Sequence, residues 1–125
     1  MNATLLVMAG GAMGAAGRYH LGRLVFHLAP VGYPIGTLVA NVTGGLLMGV
    51  LAGVLARSNF VDEPWRLLLG VGLLGGFTTF SAFSLEVLNM IERSEWGIAL
   101  IYALVSVVGS VLALFAGLMA VRALA

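Results

Sequence analysis

Four long runs of this 125-residue chain contain no Asp, Glu, Lys or Arg: Met1–Gly17, Leu24–Ala56, Leu67–Leu85 and Trp96–Val121. A helix needs about 20 apolar residues to cross about 30 Å of hydrocarbon. The second run is long enough for more than one crossing, and Pro30, Gly32 and Pro34 interrupt it, so the chain must turn there. The pattern predicts an all-α membrane protein of four transmembrane helices, over about Ala3–Leu28, Pro34–Ala56, Trp65–Ile91 and Trp96–Ala123. Trp65 and Trp96 fall where an interfacial aromatic belt would place them. The first run lacks the basic leader of a signal peptide, because Arg18 and Arg23 follow it. The chain reads as a single domain, 1–125.

Composition excludes the main alternatives. Only 9% of residues are charged and 61% are hydrophobic, whereas a soluble domain carries about 25% charged residues. A net charge of +1 offers no footprint for nucleic acid. The absence of cysteine removes disulfides, thiol catalysis and thiolate metal sites. His20 and His27 have no carboxylate at ligand spacing, so no zinc set is formed, and no nucleophile–base pair suggests an enzyme. With four spans, one side of the membrane would carry Arg57, Arg66 and Arg122 and the other Arg18, Arg23 and Arg93. This balance selects no orientation by the positive-inside rule, so either something else decides insertion or the chain inserts both ways.

Glycines recur at four-residue spacing: Gly10 and Gly14 in the first helix, then Gly45, Gly49 and Gly53 in the second, one turn after Asn41. Small residues let helix backbones approach closely in lipid. The third span contains Gly75-Gly76-Phe77-Thr78-Thr79-Phe80-Ser81-Ala82-Phe83-Ser84, a run of poor helix formers. Gly75 lies about 15 Å along a helix from Trp65, half the hydrocarbon thickness. A break there frees peptide groups that must be buried in protein, line water or hold an ion. The alternative is a kink back-bonded by Thr78, Thr79 and Ser81.

Phe80 and Phe83 share a face, for which core packing is the default reading. Tyr102, Ser106 and Ser110 form a polar stripe spaced by four, and Thr37, Asn41 and Ser84 add neutral hydrogen-bonding groups. Such groups suit an anion pathway better than a proton relay, which needs ionisable groups, although interhelical hydrogen bonding is the structural alternative. Glu86 is the one acid inside a predicted span, and its distance from Trp65 assigns it an interfacial or capping role. Arg18 would snorkel, or draw anions into a vestibule.

Gly10-Gly11 with Gly14-Ala15 and Arg18-Tyr19, then Gly36-Thr37-Leu38 with Asn41 and Gly44, and above all the Gly75–Ser84 run, resemble the motifs of the Fluc (CrcB) fluoride channels. Ala82 departs from a position where that family often has Thr. The resemblance implies a fluoride-selective channel in the bacterial cytoplasmic membrane that exports the anion passively. Its fold would be four helices with the third broken at mid-membrane, paired as an antiparallel homodimer of dual topology. It further implies a structural Na⁺ between the subunits, held by break carbonyls that map to Gly75 and Thr78. Phe80 and Phe83 would be pore aromatics, Asn41 a fluoride donor, and Ser84, Tyr102, Ser106 and Ser110 a polar track, with Thr37 beside it. The competing reading is a small proton-coupled multidrug-type transporter, which needs an embedded acid, usually in the first helix. That helix has Arg18 and no acid. A structural subunit without transport is a third reading.

Overall fold

The computed structural model describes residues 2–28, 33–57 and 63–124. All regular structure among them is helical. Helix α1 is Ala3–Leu28 and α2 is Ile35–Arg57. Helix α3 covers 63–77, α4 is Ser81–Glu92 and α5 is Trp96–Ala123. The turn expected at Pro30 and Gly32, and the loop acid Asp62, lie outside the described residues. Three stretches are long and apolar enough to cross a membrane: Ile35–Arg57, Glu63–Glu92 and Trp96–Ala123. Helix α1 is equally long, at 26 residues, but Arg18, Tyr19, His20 and Arg23 make its second half more polar.

The helices meet through glycine. A Cβ at Gly10 or Gly14 of α1 would collide with the α3 backbone at Leu68 and Leu73, and one at Gly76 with the backbone of Gly11. Contact points advance together along both chains, so α1 and α3 run parallel. The same holds for α2 and α5, where Gly45 abuts the backbone of Ser110 and Gly49 that of Leu114. In lipid there is no hydrophobic drive between helices, so backbone-to-backbone van der Waals contact carries the association. The α3 backbone in this contact is unusual. Arg66–Leu74 is π-helical, and the Gly75 amide reaches back to the Gly70 carbonyl. Pattern alone did not anticipate it, because a π turn has no distinct apolar period over so uniform a sequence.

The interruption falls within the Gly75–Ser84 run, not at the glycines that open it. Gly75 is helical (φ −63°, ψ −39°), and the chain leaves the helix at Thr78 (φ −88°, ψ 156°), resuming it at Ser81. Gly76 serves close contact with α1 rather than a turn, whereas β-branched threonine accepts extended backbone readily. Helix α4 ends in a Schellman motif: the Glu95 amide donates to the Met90 carbonyl (2.8 Å) and the Ser94 amide to that of Ile91 (2.9 Å). Ser94 takes the left-handed position, with φ 62°. Arg93 and Glu95 pair across this turn at 2.9 Å.

One small core joins α4 to α5, formed by Phe83, Met90, Ala99 and Tyr102. Most large apolar side chains are instead exposed, including Leu100, Leu104, Val107, Val111 and Phe115 along α5. A water-soluble monomer does not present so much continuous apolar surface. Hydrocarbon or another membrane-embedded chain is the environment that accommodates it.

Candidate functional site

The interruption between α3 and α4 redistributes backbone hydrogen bonds. In an unbroken helix the Thr79 amide would close on the Gly75 carbonyl. Here it donates to Asn41 Oδ1 at 2.8 Å, while Asn41 Nδ2 donates to the Thr79 carbonyl at 3.0 Å. One amide side chain from α2 thus pairs both backbone polar groups of Thr79, its N–H and its C=O. The Ala82 amide, which would close on Thr78, donates to Thr79 Oγ1 at 3.2 Å. Thr78 Oγ1 back-bonds to the Leu74 carbonyl (2.9 Å), and Ser84 Oγ to that of Phe80 (2.8 Å). Of the residues in the kink reading, Thr78 is back-bonded, while Ser81 Oγ meets Thr79 Oγ1 at 3.3 Å; Ser84, not named in that reading, is back-bonded as well. Thr79 does something different, since it is held by a neighbouring helix.

Against this interruption lies an elongated cavity of about 400 Å³ between α2, the break and α5. Asn41, Phe80, Phe83, Ser106 and Ser110 line it, and Thr78 and Thr79 contribute from the break. The two rings lie 5.4 Å apart between centroids. They differ in environment: Phe83 is 9% exposed and Phe80 is 76% exposed, so one ring is packed and the other stands at an open mouth. Ser106 Oγ is buried and finds no hydrogen-bond partner among the described residues. A buried hydroxyl without a partner is costly, and because its oxygen is covered, Ser106 would reach a ligand or water in the neighbouring cavity only by a small opening of its surroundings.

The remaining residues form a second group. Glu86 is half-buried, and its carboxylate accepts from Thr37 Oγ1 at 2.6 Å and from the Tyr102 hydroxyl at 2.7 Å. It is therefore gripped by hydroxyls from two other helices rather than standing free at an interface. Tyr102 makes this bond with Ser106 alongside it, and its ring packs on Phe83 with centroids 5.3 Å apart. Arg18 Nε makes a long hydrogen bond, 3.4 Å, to the Gly76 carbonyl. Arg18 and Thr37 also border a separate cavity at the end of α1. Gly75 and Ser84 are not part of either lining, although both are exposed at the break. Thr79 was not singled out from sequence as a partner of Asn41. The two are 38 residues apart, and no local pattern links them.

Helices of this length and hydropathy, packed glycine to glycine around a broken helix and a largely apolar cavity with a few hydroxyls, define a multi-pass integral membrane protein. Comparison with known proteins narrows the class. Residues 5–118 match the family model described as CrcB-like protein, Camphor Resistance (CrcB). A protein of Phenylobacterium zucineum named fluoride-specific ion channel FluC is 58% identical over 123 residues, covering 98% of this chain and 97% of the relative. Another so named, from Novosphingobium aromaticivorans, is 53% identical over 127 residues and the full length of both. A third, from Caulobacter vibrioides (strain NA1000 / CB15N), is 51% identical over 123 residues, 98% of this chain and 97% of the relative. The chain belongs to the CrcB family. The names of these relatives are those of ion channels, not of enzymes.

Proposed function

We propose that this chain is the subunit of a fluoride channel that lets the anion leave the cell passively. The observation that carries the mechanism is the orphaned Ser106 hydroxyl, in a cavity that also holds Asn41, Ser110, Phe80 and Phe83. Fluoride is small and strongly hydrated. Its water is replaced only by a succession of donors, and selectivity rests on pore width and donor geometry. Ser106, Ser110 and the second Nδ2 hydrogen of Asn41 supply neutral donors. The edges of Phe80 and Phe83 present the positive rim of the aromatic quadrupole. Ser84 and Tyr102 give their hydroxyl hydrogens to the Phe80 carbonyl and the Glu86 carboxylate, so they would join the polar track only by exchanging those bonds for the anion, and Thr37 shares the Glu86 carboxylate with Tyr102. The carboxylate of Glu86, occupied by two hydroxyl donors, is poorly placed to act as a carrier's proton-coupling group.

On this reading α1 is a fourth span and the break sits at mid-membrane. Thr78 lies near the middle of the 30-residue stretch Glu63–Glu92, which supports the depth. The functional unit is an antiparallel homodimer of dual topology, favoured by the balanced arginines and the exposed apolar face of α5. The carbonyls of Gly75 and Thr78 would hold a Na⁺ between the two copies. Their α-helical donors, the Thr79 and Ala82 amides, are given to Asn41 and Thr79 Oγ1, and hard oxygen atoms are what such a cation takes. When bound, it would supply a fixed positive charge beside the anion route. A bacterial strain lacking fluoride export should grow on otherwise inhibitory fluoride when given this chain. The Phe83→Ile variant, expressed to the same level, should not protect. Protection by neither chain, or equally by both, would overturn the proposal or its aromatic assignment respectively.

A further inference from the structure

The second cavity, of about 470 Å³, lies between the last turns of α1 and the start of α2. Tyr19, Arg23 and His27, spaced by four, border it together with Arg18, Phe26 and Thr37. Its chemistry differs from that of the pore cavity in three respects. It is cationic: among the described residues neither Arg18 nor Arg23 has a carboxylate within salt-bridge reach, whereas Arg93, near the same end of the bundle, is paired with Glu95. It is far larger than a halide ion needs. Its rim is apolar and open, with Phe26 64% and Tyr19 59% exposed beside an exposed Leu24. Arg23 stands about 7.5 Å along α1 from its end at Leu28, within reach of the headgroups for a long side chain that snorkels.

We infer that this cavity binds the phosphate of an anionic phospholipid. The exposed Arg23 guanidinium can take two phosphate oxygens through its planar fork, and its position is not tied to the pore. His27 and Tyr19 add N–H and O–H donors from the same face, Arg18 adds charge from behind, and the Phe26–Leu24 rim accepts the first acyl carbons. The site rests only on the chain spanning the membrane, so its failure would leave the fluoride reading standing.

The test is native mass spectrometry of the purified full-length chain in detergent, with dioleoyl phosphatidylglycerol or dioleoyl phosphatidylcholine added. The two lipids share their tails, so a difference reports the headgroup. The wild type should retain phosphatidylglycerol over phosphatidylcholine. Arg23→Gln should lower phosphatidylglycerol retention by about tenfold, the loss expected for a charge-assisted hydrogen bond. Arg23→Lys should be intermediate, and Arg93→Gln, whose arginine is already paired, should match the wild type. Retention that survives excess inorganic phosphate supports a lipid as the source. Displacement by inorganic phosphate overturns the lipid assignment in favour of a free oxyanion. Equal retention of the two lipids, no effect of Arg23→Gln, or an equal loss in Arg93→Gln would each overturn the site.

Discussion

Ser106 is the residue at which structure and conduction make opposite demands. Its hydroxyl is buried without a partner, so a purely structural account gains or loses little when it is removed. A conduction account loses a donor to a charged ion. Ser106→Ala is therefore expected to keep the wild-type unfolding midpoint in detergent and to slow fluoride efflux by about tenfold or more, read with a fluoride electrode. Unchanged efflux would remove Ser106 from the pathway. Asn41 behaves differently, because its amide makes two hydrogen bonds to the Thr79 backbone. Asn41→Ala should cost about 2 kcal/mol of stability and also slow flux, since it leaves the break unpaired. A variant of normal stability that still conducts would show that the break is held by other contacts. Helical spacing pairs Phe80 with Phe83 and Ser106 with Ser110, but only the family resemblance joins the rings to the serines that line the same cavity. The partnership of Asn41 with Thr79 was legible in neither, because it joins residues brought together only by packing.

At the scale of elements, the uncharged runs point to the three membrane-capable stretches among the described residues, since a helix satisfies its own backbone in hydrocarbon. The interruption lies inside the Gly75–Ser84 run, but it begins at Thr78 rather than at the two poor helix formers, Gly75 and Gly76, that head the run. Glycine is also the residue that lets two backbones touch, and at Gly76 that second use prevails. The π-helical stretch Arg66–Leu74 left no trace in the periodicity of so apolar a segment. The α4–α5 connection offers a clean test of local structure. Ser94 occupies the left-handed position of the Schellman motif, where glycine is the usual residue. Ser94→Gly removes a left-handed penalty of about 1–2 kcal/mol and adds back a smaller unfolded-state entropy cost. The net expectation is a gain of about 1 kcal/mol in reversible unfolding from mixed micelles, with flux unchanged. A loss of stability would mean that the Ser94 side chain contributes contacts that outweigh its backbone strain.

At the scale of the whole molecule, the proposed pairing of two antiparallel copies makes its own prediction. An antiparallel pair has its two-fold axis in the membrane plane, so only residues near mid-depth lie beside their own counterparts. The chain has no cysteine, which makes single-cysteine cross-linking unambiguous. Gly75→Cys, at an exposed position next to the break, should form disulfide-linked dimers in membranes, whereas Trp96→Cys, at a helix end, should not. Cross-linking at both positions would indicate a parallel pair and would undo the dual-topology reading. Conduction itself is tested most directly by loading liposomes that contain only the purified chain and following anion release with ion-selective electrodes. Rapid fluoride efflux without chloride efflux, under no proton gradient, is the result this account predicts. Release no faster than from protein-free liposomes, or release that requires a proton gradient, would contradict it.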